Sequence, residues 1–197
     1  MKLVWTILVT IFLSANVLNA QLDLVAPSTP QGVQAFGYEK NIDIEWYHNS
    51  EPDLAGYKIY RWVGDSFVFF TNVPKDKSYL TLNFSTIGIS QSFKVSAYDL
   101  NNNESALSDS VYAITHLMTD EEFLDMVQRS TFRYFYDYGH PVSGLSRERL
   151  GSGETVTSGG SGFGLMAILV GVERGYITRD QGIERMLKIL NFLKENA

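Results

Sequence analysis

One short segment constrains this chain more than any other. Between Phe163 and Arg174, Leu165, Met166, Ile168, Leu169, Val170 and Val172 clothe nearly every side of a helix in apolar groups. A helix of that kind belongs inside a packed core, and this one is too short for a bilayer, which takes about 20 residues. Its flanks are amphipathic. Upstream, Thr119-x-x-Glu122 forms a capping box, with Met118 and Phe123 at the positions of a hydrophobic staple. Behind it Leu124, Val127, Thr131, Tyr134, Phe135 and Tyr138 fall on one helical face, which should end by Gly139. Downstream, Thr178-x-x-Gln181 opens a helix with Ile183, Met186, Leu187, Leu190 and Leu193 on one side and Glu184, Arg185, Lys188, Lys194 and Glu195 on the other. Two neighbours cannot surround a helix that is apolar all round. The stretch 117–197 therefore expects further partners, from another chain or from more of this polypeptide. The ending Leu193-Lys194-Glu195-Asn196-Ala197 carries no helix stop, which favours the second source.

Before His116 the period is two rather than 3.6. Ile42, Ile44 and Trp46 alternate with Asp43 and Glu45, predicting a half-buried strand with its acids outward. Tyr57 to Arg61, Phe67 to Phe70, Tyr79 to Leu82, and Phe93, Val95 and Ala97 predict four more, separated by Asn, Gly, Pro, Asp and Ser clusters as in a small sandwich. Pro27-x-x-Pro30, the strand Trp46, Asp53-Leu54-Ala55-Gly56-Tyr57-x-Ile59-Tyr60-Arg61 and Phe93-x-Val95-x-Ala97-x-Asp99 together resemble a fibronectin type III domain. Phe93 stands where such modules usually carry a Tyr, so a corner hydrogen bond worth about 1 kcal/mol is lost. Such modules are spacers or docking surfaces. Trp62, Phe69 and Phe70 could bind carbohydrate, but aromatic strand residues are mostly buried, which favours core and interdomain packing.

The composition excludes several classes. With 16 Lys+Arg against 22 Asp+Glu the net charge is −6, which gives no electrostatic footprint for nucleic acid. The absence of cysteine excludes disulfide frameworks, thiolate zinc sites and Cys nucleophiles. Lys2 followed by the apolar run Leu3 to Leu13 and the small, polar stretch Ser14 to Ala20 predicts a secretory signal cut after Ala20. The mature protein should be secreted or periplasmic, with no membrane attachment after cleavage.

Chemistry concentrates between the first two helices. Asp137 to Arg149 and Gly153 to Gly164 make a loop of about 24 residues, long for a compact domain, and such loops are commonly functional. No Gly-Lys-Ser/Thr follows the glycines, so a phosphate cradle fails. Gly159-Gly160-Ser161-Gly162 lacks the strand–turn context of a serine nucleophile, and a single His makes zinc improbable. Paired carboxylates remain, the groups that glycosidic cleavage requires. Glu154 is the best acid/base candidate by position. Asp137 is a second, although it also lies four residues after Arg133, a helix-surface pair worth a few tenths of a kcal/mol. Glu148 sits between Arg147 and Arg149 and suits a sugar-hydroxyl contact better than proton donation. The two arginines and His140 are further substrate contacts, with His140 before Pro141 equally a turn residue. Thr157 and Ser158 cap a helix or meet substrate.

The run Phe132 to Asp137, His140-Pro141-Val142-Ser143-Gly144-Leu145, Arg147-Glu148-Arg149, Glu154 to Gly164 and Gly171-Val172-Glu173-Arg174-Gly175 resembles the start of the glycoamylase-like domain, the core of glycoside hydrolase family 144. Tyr136 departs from the Trp that relatives often carry. The resemblance implies an (α/α)₆ toroid and inverting endo-hydrolysis of linear β-1,2-glucan to sophoro-oligosaccharides, without metal or other cofactor. The second catalytic carboxylate is then expected beyond Ala197. The resulting layout is multidomain: signal peptide 1–20, an all-β fibronectin type III sandwich 21–116, and an all-α segment 117–197 that begins the toroid and lacks its C-terminal remainder. The expected partner is β-glucan or another polysaccharide. Two competing readings are a glycan-docking sandwich without catalysis, and a transglycosylase of the kind found in cyclic β-1,2-glucan synthases.

Overall fold

The computed structural model describes residues 23–196, so the expected signal segment lies outside the described residues. Seven strands precede three helices: β1 Gln34–Gly37, β2 Asn41–Glu45, β3 Leu54–Val63, β4 Ser66–Pro74, β5 Tyr79–Asn83, β6 Ser90–Asp99, β7 Val111–Ile114, α1 Asp120–Tyr136, α2 Ser158–Glu173 and α3 Arg179–Asn196. The strands form two antiparallel sheets, β1-β2-β5 and β4-β3-β6-β7. Five lie where the alternation predicts them. β1 and β7, four residues each, are too short to show a period.

Ile42, Ile44 and Trp46 from one sheet meet Tyr57, Ile59, Phe93, Val95 and Ala97 from the other in a closed core. Trp46 and Tyr57 pack edge-on at 5.1 Å between ring centroids. Phe93 is fully buried, and the hydroxyl of Tyr57 accepts the Asn49 N–H at 2.9 Å. The register of β3 on β4 shifts after Ile59, which pairs with Thr71 while Tyr60 pairs with Phe69. Beyond this bulge the hairpin outruns the shorter β2 and β5, and none of the described residues covers it. Trp62 and Phe69 are 45% and 52% exposed and Phe70 is exposed too, which overturns the packing expected for them.

The helices pack in sequence, α1 on α2 and α2 on α3. Their shared core is Phe132, Ile168, Ile177 and Ile189, with Phe132 stacked on Tyr136 at 5.2 Å. Both capping boxes are present. Thr119 Oγ1 accepts from Glu122 N and Gln181 returns to the Thr178 N–H. Which face is buried differs from expectation. Phe163 is 73% exposed, and Met166, Leu169 and Val170 are also exposed, because α2 has its two helical neighbours on one side only. α2 also starts at Ser158, five residues earlier than its apolar run. On α1, Leu124 and Val127 are exposed, since Phe132 and Tyr136 turn to α2 and α3 instead. On α3, Ile183, Leu187, Leu190 and Leu193 are exposed while Gly182 and Ile189 are buried.

The remaining side of α1 joins the sandwich. Arg133 donates to Asp43 at 2.9 Å and also to Glu45, and its guanidinium lies over the Tyr79 ring. Arg129 donates to the other oxygen of Glu45 at 3.1 Å and is sandwiched between the Phe36 and Tyr176 rings. Asp43, expected outward, is therefore only 3% exposed. The Tyr79 and Tyr138 hydroxyls touch beside it.

Candidate active site

The loop between α1 and α2 runs from Asp137 to Thr157, shorter than expected because Gly159 to Gly162 are helical. It doubles back on itself: Arg147 bridges Val156, Glu148 N donates to Thr155 O at 3.0 Å, and Thr157 N donates to Ser146 O. Ser146 N donates in turn to Ser161 Oγ, and Tyr134 Oη to the Arg147 carbonyl at 2.9 Å, so α1 and α2 both hold the loop. Gly144 is required in it. Its φ is +73°, and a Cβ there would crowd Ile189 of α3.

The candidate residues separate into two groups. Asp137, His140 and Arg147 line a cavity of about 1210 Å³ between the sandwich and the helices. Glu154 stands behind His140, 76% exposed, with its Oε2 2.6 Å from His140 Nε2 and its other oxygen 3.8 Å from Arg147. Glu148, Arg149, Thr157 and Ser158 lie outside the cavity lining. Glu148 contacts Arg149 alone, because Arg147 turns away to donate to Gly153 O at 2.8 Å. It is therefore not held between two arginines as expected. Thr157 spends its hydroxyl on capping α2, accepting from Gly160 N at 3.2 Å, and Ser158 is the exposed first residue of that helix.

Nδ1 of His140 accepts the Ser143 N–H at 3.1 Å, so the imidazole proton sits on Nε2, facing Glu154. Ser143 Oγ is also 3.1 Å from Nδ1. This Ser–His–Glu chain is not a nucleophilic triad. Ser143 is buried, and its oxygen already accepts the Leu145 N–H.

Asp137 caps the C-terminal end of α1, its N–H bonded to Arg133 O at 2.8 Å. Its expected helix-surface partner is committed elsewhere, since Arg133 points into the sandwich. Among the described residues no group donates a hydrogen bond to the Asp137 carboxyl. Burial pushes that carboxyl up to about 6; Arg133 pulls it down, Glu45 raises it and Arg185 lowers it. A folded-state value above the ordinary one means that the native state holds the proton longer than the unfolded chain. Stability should thus fall as pH rises from about 4 through about 6. Asp137→Asn should flatten that part of the stability–pH curve and raise stability at pH 7, as read from urea midpoints across the range.

Sequence reasoning missed the opposite wall. Tyr47, His48 and Asn49 come from the sandwich, and Arg185 and Lys188 from α3. No local pattern marks the first three, which reach the loop only through the fold. A separate trio, Asp23, Asp53 and Asp99, brings oxygens within 4.8 Å of one another on the sandwich. Asp99 there is already occupied by the Asn101 and Asn103 amides and by Asn103 Nδ2, so the group reads as turn chemistry.

No family model matches the chain. Over 194 residues it is 42% identical to an exo β-1,2-glucooligosaccharide sophorohydrolase (non-reducing end) of Parabacteroides distasonis, a match spanning 94% of this chain and 26% of that protein. The chain thus spans about a quarter of the length of the curated relative that it matches. The crystal structure of a β-1,2-glucanase from Parabacteroides distasonis superposes with a TM-score of 0.66 at 40% identity, covering 89% of this chain and 25% of the other. The solved structure of FN3tt covers 46% of this chain and 96% of its own at 17% identity, with a TM-score of 0.39.

Proposed function

We propose that the chain is part of an exported glycoside hydrolase acting on β-1,2-glucan. One observation carries this reading: 42% identity along 94% of the chain to a β-1,2-glucooligosaccharide sophorohydrolase. The glycoamylase-like assignment to family 144 and the (α/α)₆ toroid belong to the same proposal, as does the division into 1–20, 21–116 and 117–197. The open apolar faces of α1, α2 and α3 support the toroid, since each is a surface that further helices of a ring would cover. The signal-like 1–20 segment supports a secreted or periplasmic location.

Within the site Asp137 suits the proton donor, because a carboxyl titrating at about 6 keeps its proton to a higher pH than an ordinary aspartate and carries it in mildly acidic solution. Glu154, facing the Nε2–H of His140, is placed to receive a proton rather than give one. Assay of the full-length gene product on linear β-1,2-glucan tests this. The enzyme should release sophoro-oligosaccharides, with kcat/KM falling as pH rises through about 6. Asp137→Asn and Glu154→Gln should each lower kcat about 10²-fold or more. Failure to cleave any β-glucan would discard the hydrolase. Products distinguish endo from exo action, and chain transfer or ring closure would mark a transglycosylase.

The uncovered Trp62 and Phe69 favour a second reading, in which the sandwich docks on glycan without catalysis. Glycan capture by residues 21–116 alone would support it.

A further inference from the structure

We propose that the sandwich forms one wall of the substrate cleft and holds a neutral sugar residue of the glucan against Asp137. This inference rests on the hydrolase reading for the identity of the ligand. Its physical basis is the cavity itself.

The Asp137 carboxyl faces the cavity and accepts no hydrogen bond among the described residues. Half-buried on the cavity lining and not engaged by the protein, this carboxyl is open to a donor from a ligand, and a sugar hydroxyl is one. Across the cavity stand Tyr47, His48 and Asn49. The Tyr47 and His48 side chains are exposed and make no hydrogen bond among the described residues. Desolvation and then the Arg185 guanidinium lower the His48 imidazole below its ordinary value, against a smaller upward pull from Asp76.

The backbone that carries these side chains is fixed. Trp46 N donates to Ser78 O, Tyr47 N to Gln31 O at 2.8 Å and Asn49 N to the buried Tyr57 hydroxyl, while Asn49 Nδ2 reaches Ser28 O at 2.7 Å. The wall is thus set before any ligand arrives, which reduces the ordering cost of binding.

Charge selects the ligand class. Arg129 and Arg133 are committed to Glu45 and Asp43, and Arg147 to Gly153 O and Glu154. Facing the space are Asp76, Asp137 and Glu184 against Arg185 and Lys188. A phosphate or carboxylate ligand would need an excess of free cations. This near balance of donors and acceptors fits a neutral polyhydroxylated ring, presented to aromatic faces. The volume of about 1210 Å³ exceeds that of an ordinary small-molecule pocket and leaves room for several sugar residues.

The test is titration of the 197-residue chain with short β-1,2-linked glucooligosaccharides, followed by saturation-transfer NMR, with inorganic phosphate as the charged control. Tyr47→Ala and His48→Ala alter exposed side chains, and far-UV circular dichroism checks that each variant stays folded. The oligosaccharides should bind the unaltered chain, and each variant should weaken them about tenfold. Phosphate should not compete. Absence of oligosaccharide binding, equal binding by both variants, or displacement by phosphate would overturn the proposal. Parallel assay of the full-length gene product separates the two claims. Hydrolysis with unchanged oligosaccharide binding in both variants leaves the enzyme standing without this wall. Binding that both variants weaken, in a product that cleaves no glucan, keeps the wall and removes the hydrolase.

Discussion

Replacing Arg133 with methionine should cost the folded chain about 3–5 kcal/mol, the largest effect expected of any side chain that joins the two parts. Arg133 is buried and is shared by Asp43 at 2.9 Å and by Glu45. Methionine keeps most of the volume and removes the charge, stranding the buried Asp43 beneath α1 and leaving Glu45 to Arg129 alone. The loss arises mainly from that stranded acid and the half-paired Glu45 rather than from the ion pair, since a well-made buried pair contributes little over a hydrophobic replacement. A second construction isolates the cause: adding Asp43→Asn and Glu45→Gln to Arg133→Met should recover a large part of the loss. Urea unfolding followed by tryptophan fluorescence reads all three proteins. Arg149→Met is the contrast. Its partner Glu148 lies beside it on the surface, and the midpoint should not move. An Arg133→Met midpoint indistinguishable from that of Arg149→Met would mean that the clamp contributes nothing.

Gly37→Ala should destabilise the sandwich by about 2 kcal/mol or more. A Cβ on Gly37 would fall against the carbonyl oxygen of Ile114, with the carbonyl carbon of the same residue at 2.7 Å. Both are main-chain atoms, so no change of rotamer relieves the overlap. β1 would have to move away from β7, opening the place where the two sheets come closest at their edges. Amide exchange across 111–114 should accelerate more than exchange in β3. Gly64→Ala is the control. Its φ of +66° strains an alanine by about 1–2 kcal/mol, but nothing lies within 4 Å of the new methyl group. Equal losses of β7 protection in the two variants would show that backbone strain, not the clash, governs Gly37.

The sequence disclosed these elements unevenly. Strand alternation at Ile42 and Ile44 or at Phe93 and Val95 marks both strands and the residues that close the core, because a half-covered sheet imposes the period locally. Capping chemistry at Thr119 and Thr178 is equally local. The orientation of helices is not. α1 carries two stripes, Leu124 with Val127 and Phe132 with Tyr136, and only the position of α2 decides between them. The inward turn of Asp43 depends on an arginine 90 residues away, a distance at which no pattern survives. The candidate site follows the same division. Asp137 and His140 stand out in a Gly-rich loop beside a helix end. Tyr47, His48 and Asn49 belong to the other half of the chain and join them only when α1 lies across β2.

The depth of the Arg133 clamp has one more consequence, for the medium in which the protein works. Dissolved ions weaken attraction between charges that they can surround, and at 0.15 M they do so over about 8 Å of water. Asp43 and Arg133 leave them almost no such water. Ionic strength will therefore act on the periphery, at pairs such as Glu148 with Arg149, while the seam between β2 and α1 keeps its alignment in brackish and dilute surroundings alike.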